Sequence, residues 1–148
     1  MGYDHTQRGH FYLILALSSA VCFVSGWTLR SEPMALYICW GIALLMFLVG
    51  MSFITLTVRD MGDVLDVRFG PIPLFGKSIR YADIRSVATD RTNLLDGWGV
   101  HWVPGRGTTY NIWGFQCVRL TVGKRTIRVG TDDAENLCEF IRSKLDQP

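Results

Sequence analysis

The densest run of reactive and aromatic side chains in this 148-residue chain is GWGVHWVPGRGTTYNIWG, Gly97 to Gly114. It carries three tryptophans, one histidine, one tyrosine, one arginine and five glycines in eighteen residues. Two kinds of chemistry are open to it. His101 could act as a base toward a nucleophile such as Cys117, or be oriented by Asp90 or Asp96. Alternatively, His101, Arg106, Asn111 and Trp113 could form a binding surface, since an exposed tryptophan beside polar groups suits a partner or membrane-surface contact.

Catalysis needs a positioned partner, and no motif in the chain fixes one. GxSxG, HExxH, a phosphate loop and a dinucleotide fingerprint are all absent. His101 is therefore expected to face solvent on a strand, with no catalytic residue and no cofactor. Cys22, Cys39, Cys117 and Cys138 form no CxxC pair, so neither zinc nor another metal is expected. They read as buried free thiols in a reducing compartment. His5 and His10 fall in a polar stretch, residues 1–10, expected to be a cytoplasmic tail.

The elements that must position these residues divide the chain in two. From Phe11 to Trp27 and from Met34 to Ile54, no Asp, Glu, Lys, Arg or His occurs. The two runs suit membrane spans at about 11–27 and 34–54, a bilayer core needing around twenty apolar residues and seventeen at the least. Tyr12 and Trp27 are placed as interfacial anchors, and Glu32-Pro33 suits the turn between the spans. A second span follows so closely that a retained hairpin, residues 11–55, is expected rather than a cleaved signal.

Arg8 precedes the hairpin, and Arg59, Arg68, Lys77 and Arg80 follow it, while Arg30 in the connecting loop is offset by Glu32. Both ends of the chain are therefore expected in the cytoplasm. Spans without ionisable groups argue against a self-contained transporter. Ser18, Ser19, Cys22 and Gly26 either let helices approach closely or are ordinary lipid-facing residues.

Beyond the hairpin the apolar period becomes two. Ile54, Leu56 and Val58, then Leu65, Val67 and Phe69, flank a DMGD turn. KSIRYADIRSVA continues the pattern past an expected bulge at Ala82-Asp83, and CVRLTV and RTIRV form a hairpin around GKR. Residues Asp132 to Leu145 change to helical spacing, with Ala134, Leu137, Cys138, Ile141 and Leu145 on one face and Asp132 and Glu135 as a capping-box-like start. In this frame GWGVHWV and TTYNIW are two central strands. Trp98, Val100 and Trp102 are expected on the core, with His101 and Trp113 outward near Arg106.

LTVRDMGDVLDVRFGP, IRYADIRSV, GWGVHW and RTIRVGTDDAENLCEFI, in this order after a membrane hairpin, resemble the bacterial pleckstrin-homology-like domains of small membrane proteins. The resemblance runs from Ile54 to Leu145, within a domain expected over residues 54–148. It implies a mainly β, seven-stranded antiparallel barrel capped by the C-terminal helix, at the inner face of a bacterial membrane. Its implied role is a non-catalytic module for contact with a protein or a lipid surface, or for self-assembly. Phosphoinositide binding in related domains uses basic residues on the first hairpin; here Asp60, Asp63 and Asp66 oppose Arg59 and Arg68, which disfavours it. Nucleic acid is not an expected partner, because the thirteen Lys and Arg from Arg59 onward are interspersed with eleven Asp and Glu. An accessory subunit of a larger membrane transport or secretion complex is the alternative, and a small membrane-bound enzyme using His101 the third reading.

Overall fold

The computed structural model describes residues 2–146. A short strand, β1 (Asp4–Arg8), leads into two long helices, α1 (Phe11–Thr28) and α2 (Pro33–Ser52). Eight strands follow: β2 (Thr55–Asp60), β3 (Val64–Gly70), β4 (Gly76–Arg80), β5 (Ile84–Arg91), β6 (Gly99–Val103), β7 (Gly107–Asn111), β8 (Gln116–Val122) and β9 (Arg125–Gly130). The chain closes with α3 (Ala134–Leu145).

Both long helices are apolar and long enough to cross a membrane. They form a hairpin whose inner seam uses the small residues. Ser19 Oγ donates to the Ala43 carbonyl at 2.7 Å. Gly26 lies against Trp40 and Cys39, where a Cβ would come within 2.7 Å of the indole. The Trp40 ring stacks on Phe23, centroids 5.3 Å apart. The outer faces leave leucine, isoleucine, valine and phenylalanine uncovered, unlike the buried helix of a water-soluble core. Tyr12 and Trp27 sit near opposite ends of α1, and the Arg30 guanidinium lies over the Trp27 ring.

The strands make two sheets, ordered β1-β2-β3-β4 and β5-β8-β9-β7-β6. Their inner faces carry the residues that the period of two selects: Leu56, Val58, Leu65, Val67 and Phe69 from one sheet, Val118, Leu120, Ile127 and Val129 from the other. Leu137, Cys138 and Ile141 of α3 complete this core, so the amphipathic helix covers it as its spacing predicts.

Several expectations change. The strands number nine among the described residues, in two sheets that do not close into a barrel, and β7 runs parallel to β9. Residues 4–8, expected as tail, pair with β2 from Asp4↔Arg59 to Arg8↔Thr55. The bulge expected at Ala82-Asp83 is a 3-10 turn, Tyr81–Asp83, that passes the chain from one sheet to the other. Asp133, not Asp132, precedes α3; it accepts from Asn136 Nδ2 at 2.6 Å, while Asp132 accepts from or pairs with His5 Nε2 at the same distance. The β6-β7 pair is an outer hairpin, not a central one, because β7 joins β9 and leaves β6 at the edge. Gly130 permits that crossing, since any Cβ there would collide with Asn111.

Candidate functional site

The four residues singled out by the sequence divide among three environments. Arg106 and Asn111 belong to a polar layer on the outer face of the five-stranded sheet. Asp96, in the β5-β6 loop, has no exposed side-chain surface. It accepts from Arg106 Nε at 2.8 Å and Nη2 at 2.6 Å, and from the Asn93 amide at 2.8 Å. Arg128 Nε donates to Asp90 at 3.0 Å, and its Nη1 donates to the Arg106 carbonyl. Asn111 is fully buried and donates to the Gly114 carbonyl at 3.0 Å. Its Oδ1, and Thr109 Oγ1, have no partner among the described residues.

Electrostatics follow from these contacts. The Arg106 hydrogen bonds hold the Asp96 carboxyl below the usual range, against the opposing effect of burial. Burial pushes the Asp90 carboxyl up, but the Arg91 amide and Arg128 outweigh it and the net direction is down. Burial, with Asp90 nearby, pushes the Cys117 thiol up to about 12. A thiol in that state is not a nucleophile at neutral pH. His101 makes no hydrogen bond to Cys117, Asp90 or Asp96 among the described residues; its ring lies beside Gly97 on the exposed side of β6. Nor does any group of three or more His, Cys, Asp or Glu among the described residues come together as a metal site.

Trp113 belongs to an aromatic junction at the base of the helical hairpin. It stacks on Trp98, centroids 4.9 Å apart, and receives the edge of His10 at 5.3 Å. Trp98 lies against Phe11, the first residue of α1. Phe11 meets Phe53, which follows α2, and Phe53 meets Phe69 and Phe75 at 5.0 and 5.2 Å. Gln7 Nε2 donates to the Trp113 carbonyl at 3.1 Å. This packing ties β1, both helix ends and three loops together, so Trp113 is less a free contact than a structural member.

The third environment is the open edge at β6. Among the described residues its single neighbour in the sheet is β7, which leaves the backbone groups of its other side available. Trp102, expected in the core, is 70% exposed here, and Val100 and His101 are exposed beside it. The alternation in GVHWV is real, but an edge strand beyond the opposing sheet has no core for its apolar face. Val100 and Trp102 are the residues expected on the core that the structure leaves exposed.

Ion pairing also occupies the first hairpin of the sheet domain. Arg59 Nε donates to Asp4 at 2.9 Å, Arg68 pairs with Asp66 at 3.1 Å, and Lys144 pairs with Asp60 at 3.1 Å. The arrangement as a whole offers one unpaired strand edge with aromatic side chains, and no assembled acid, base and nucleophile among the described residues. No protein-family model matches this chain, and no curated protein matches it in sequence.

Proposed function

We propose that this protein is a membrane-anchored, non-catalytic interaction module whose sheet domain stands on the cytoplasmic side of a bacterial membrane and engages a protein partner or a second copy through β6. The observation that carries the reading is Trp102, exposed on a strand with one free edge. Strand addition at such an edge takes its affinity from backbone hydrogen bonds and its selectivity from side chains such as Trp102 and Val100.

The membrane placement rests on two apolar helices with uncovered outer faces and on basic residues concentrated on the domain side. The pleckstrin-homology-like reading draws support from strands ahead of a C-terminal helix that packs into their core. The nine strands and the parallel β7/β9 pair are its departures. Paired charges on the first hairpin favour a protein ligand over a phosphoinositide headgroup.

A photo-crosslinker at position 102 in native membranes tests the proposal, with Lys124 as the reference position. A discrete product at 102 that disappears with Val100→Pro, which disturbs edge pairing, supports it. Equal labelling at both positions, or a product indifferent to Val100→Pro, overturns it. A product of two copies assigns self-assembly, and a defined heterologous product assigns an accessory subunit.

A further inference from the structure

The connections β3-β4, β5-β6 and β7-β8 all emerge where α1 begins and α2 ends, and each carries large apolar side chains in the open. Leu94 and Leu95 are 80% and 75% exposed, Leu74 is 55% exposed, and Phe75, Trp113 and Phe115 are each about two-fifths exposed. The aromatic junction fixes their level relative to the hairpin. Phe75 stacks on Phe53, the residue after α2, and Trp113 reaches Phe11 through Trp98. The Thr92 amide donates to the Phe115 carbonyl at 2.8 Å, and Leu94, Trp98 and Phe115 share one small cleft.

We infer that this rim is a second membrane contact, its loop side chains entering the boundary between headgroups and acyl chains around the base of the hairpin. The inference rests on the reading that the hairpin spans a bilayer. Helix length sets the depth. The 18 residues of α1 extend about 27 Å, against a hydrocarbon core of about 30 Å. With no spare length, Phe11 lies at the hydrocarbon boundary, and groups level with Phe11 lie among the headgroups. Exposed leucine and tryptophan belong in that zone far more than in water.

Charge agrees. Asp90 and Asp96, the acids of the β5-β6 segment, are engaged by Arg128 and Arg106. Arg8 and Arg91 flank the rim, exposed and without an ion pair among the described residues. Cations beside apolar loops suit an anionic lipid surface. The contact would hold the sheet domain in one orientation beneath the hairpin, with the distal β8-β9 turn pointing away.

The test uses the full chain in vesicles of phosphatidylethanolamine and phosphatidylglycerol. Cys22 and Cys39 are replaced by alanine; Cys117 and Cys138 are buried and remain. Single spin labels go to Leu74→Cys, Leu94→Cys, Leu95→Cys, Lys124→Cys and, on the outer face of α2, Leu45→Cys. Collision with oxygen reports lipid and collision with a water-soluble nickel chelate reports water. Expected are oxygen-dominated relaxation at 45, 74, 94 and 95 and nickel-dominated relaxation at 124. Lipid at 45 with water at 94 and 95 overturns the rim contact alone. Water at 45 overturns the spanning hairpin and the rim together. Exclusion of both reagents at 94 and 95 means that protein covers the rim, and also overturns the inference.

Discussion

Arg106 grips Asp96 with both nitrogens of one edge of its guanidinium, at 2.8 and 2.6 Å, across ten residues of chain. The Asp96 side chain is wholly buried while the Arg106 side chain keeps a third of its surface exposed. This contact fastens the β6-β7 turn to the β5-β6 loop and so sets the position of the outer hairpin.

Removing the cation strands a buried carboxylate, which costs about 3–5 kcal/mol in comparable buried pairs, with the lower end suited to a partly exposed arginine. Arg106→Ala should therefore lower the thermal midpoint by several degrees, followed by near-UV circular dichroism in detergent. Adding Asp96→Ala should recover part of the loss, since no charge is then left unpaired. Equal midpoints for the single and double variants would show that the carboxylate left behind by Arg106→Ala carries no penalty.

Acid should weaken the fold through three carboxylates. Burial opposes ionisation of Asp60, yet Lys144, Tyr81 and the Gly62 amide hold it down. Asp90 and Asp96 are also held below the ordinary 3.8. A lowered folded-state pKa contributes stability above the unfolded value, and that contribution is lost as pH falls through the folded value. The thermal midpoint should be flat near neutrality and drop below about pH 4. Asp60→Asn should give a lower plateau and a shallower acid limb.

Tyr3 anchors β1 to α3. Its hydroxyl donates to Asp133 at 3.1 Å and its ring lies 5.6 Å from Phe140. Tyr3→Phe keeps the ring and loses one hydrogen bond, a cost of about 1 kcal/mol. Tyr3→Ala should cost distinctly more, and amide exchange along β2 should rise as β1 loosens.

Trp102 and Trp98 should separate by phenotype. Trp102→Ser should leave the thermal midpoint almost unchanged, within the range of about 0.5 kcal/mol usual at surfaces, while abolishing the product formed from a photo-crosslinker placed at His101 of β6 instead of position 102. Trp98→Ala should destabilise by about 3 kcal/mol, because its ring joins Trp113 to Phe11. A stable Trp98→Ala protein would show that the aromatic junction is dispensable.

What could be read along the chain was whatever depends on neighbours in sequence. Long runs without charge mark α1 and α2 as helices apolar enough to cross a membrane. Alternation in β2, β3, β8 and β9 marks the faces that meet the core, and the three-four spacing in α3 marks its covering face. These are properties of a helix or strand alone.

Pairing is different, because it depends on which other segments are near. DHTQR has no apolar rhythm, and it becomes β1 because the edge of β2 is open beside it. GVHWV alternates as a core strand would, yet the union of β7 with β9 leaves it at an edge, so Trp102 meets solvent. Arg106 and Asn111 look like surface groups until the β5-β6 loop folds over them. The sequence alone determined the hairpin, the strand faces and the closing helix through local periodicity; strand order, edges and ion pairs were decided by tertiary structure, since contacts distant along the chain leave no period in it.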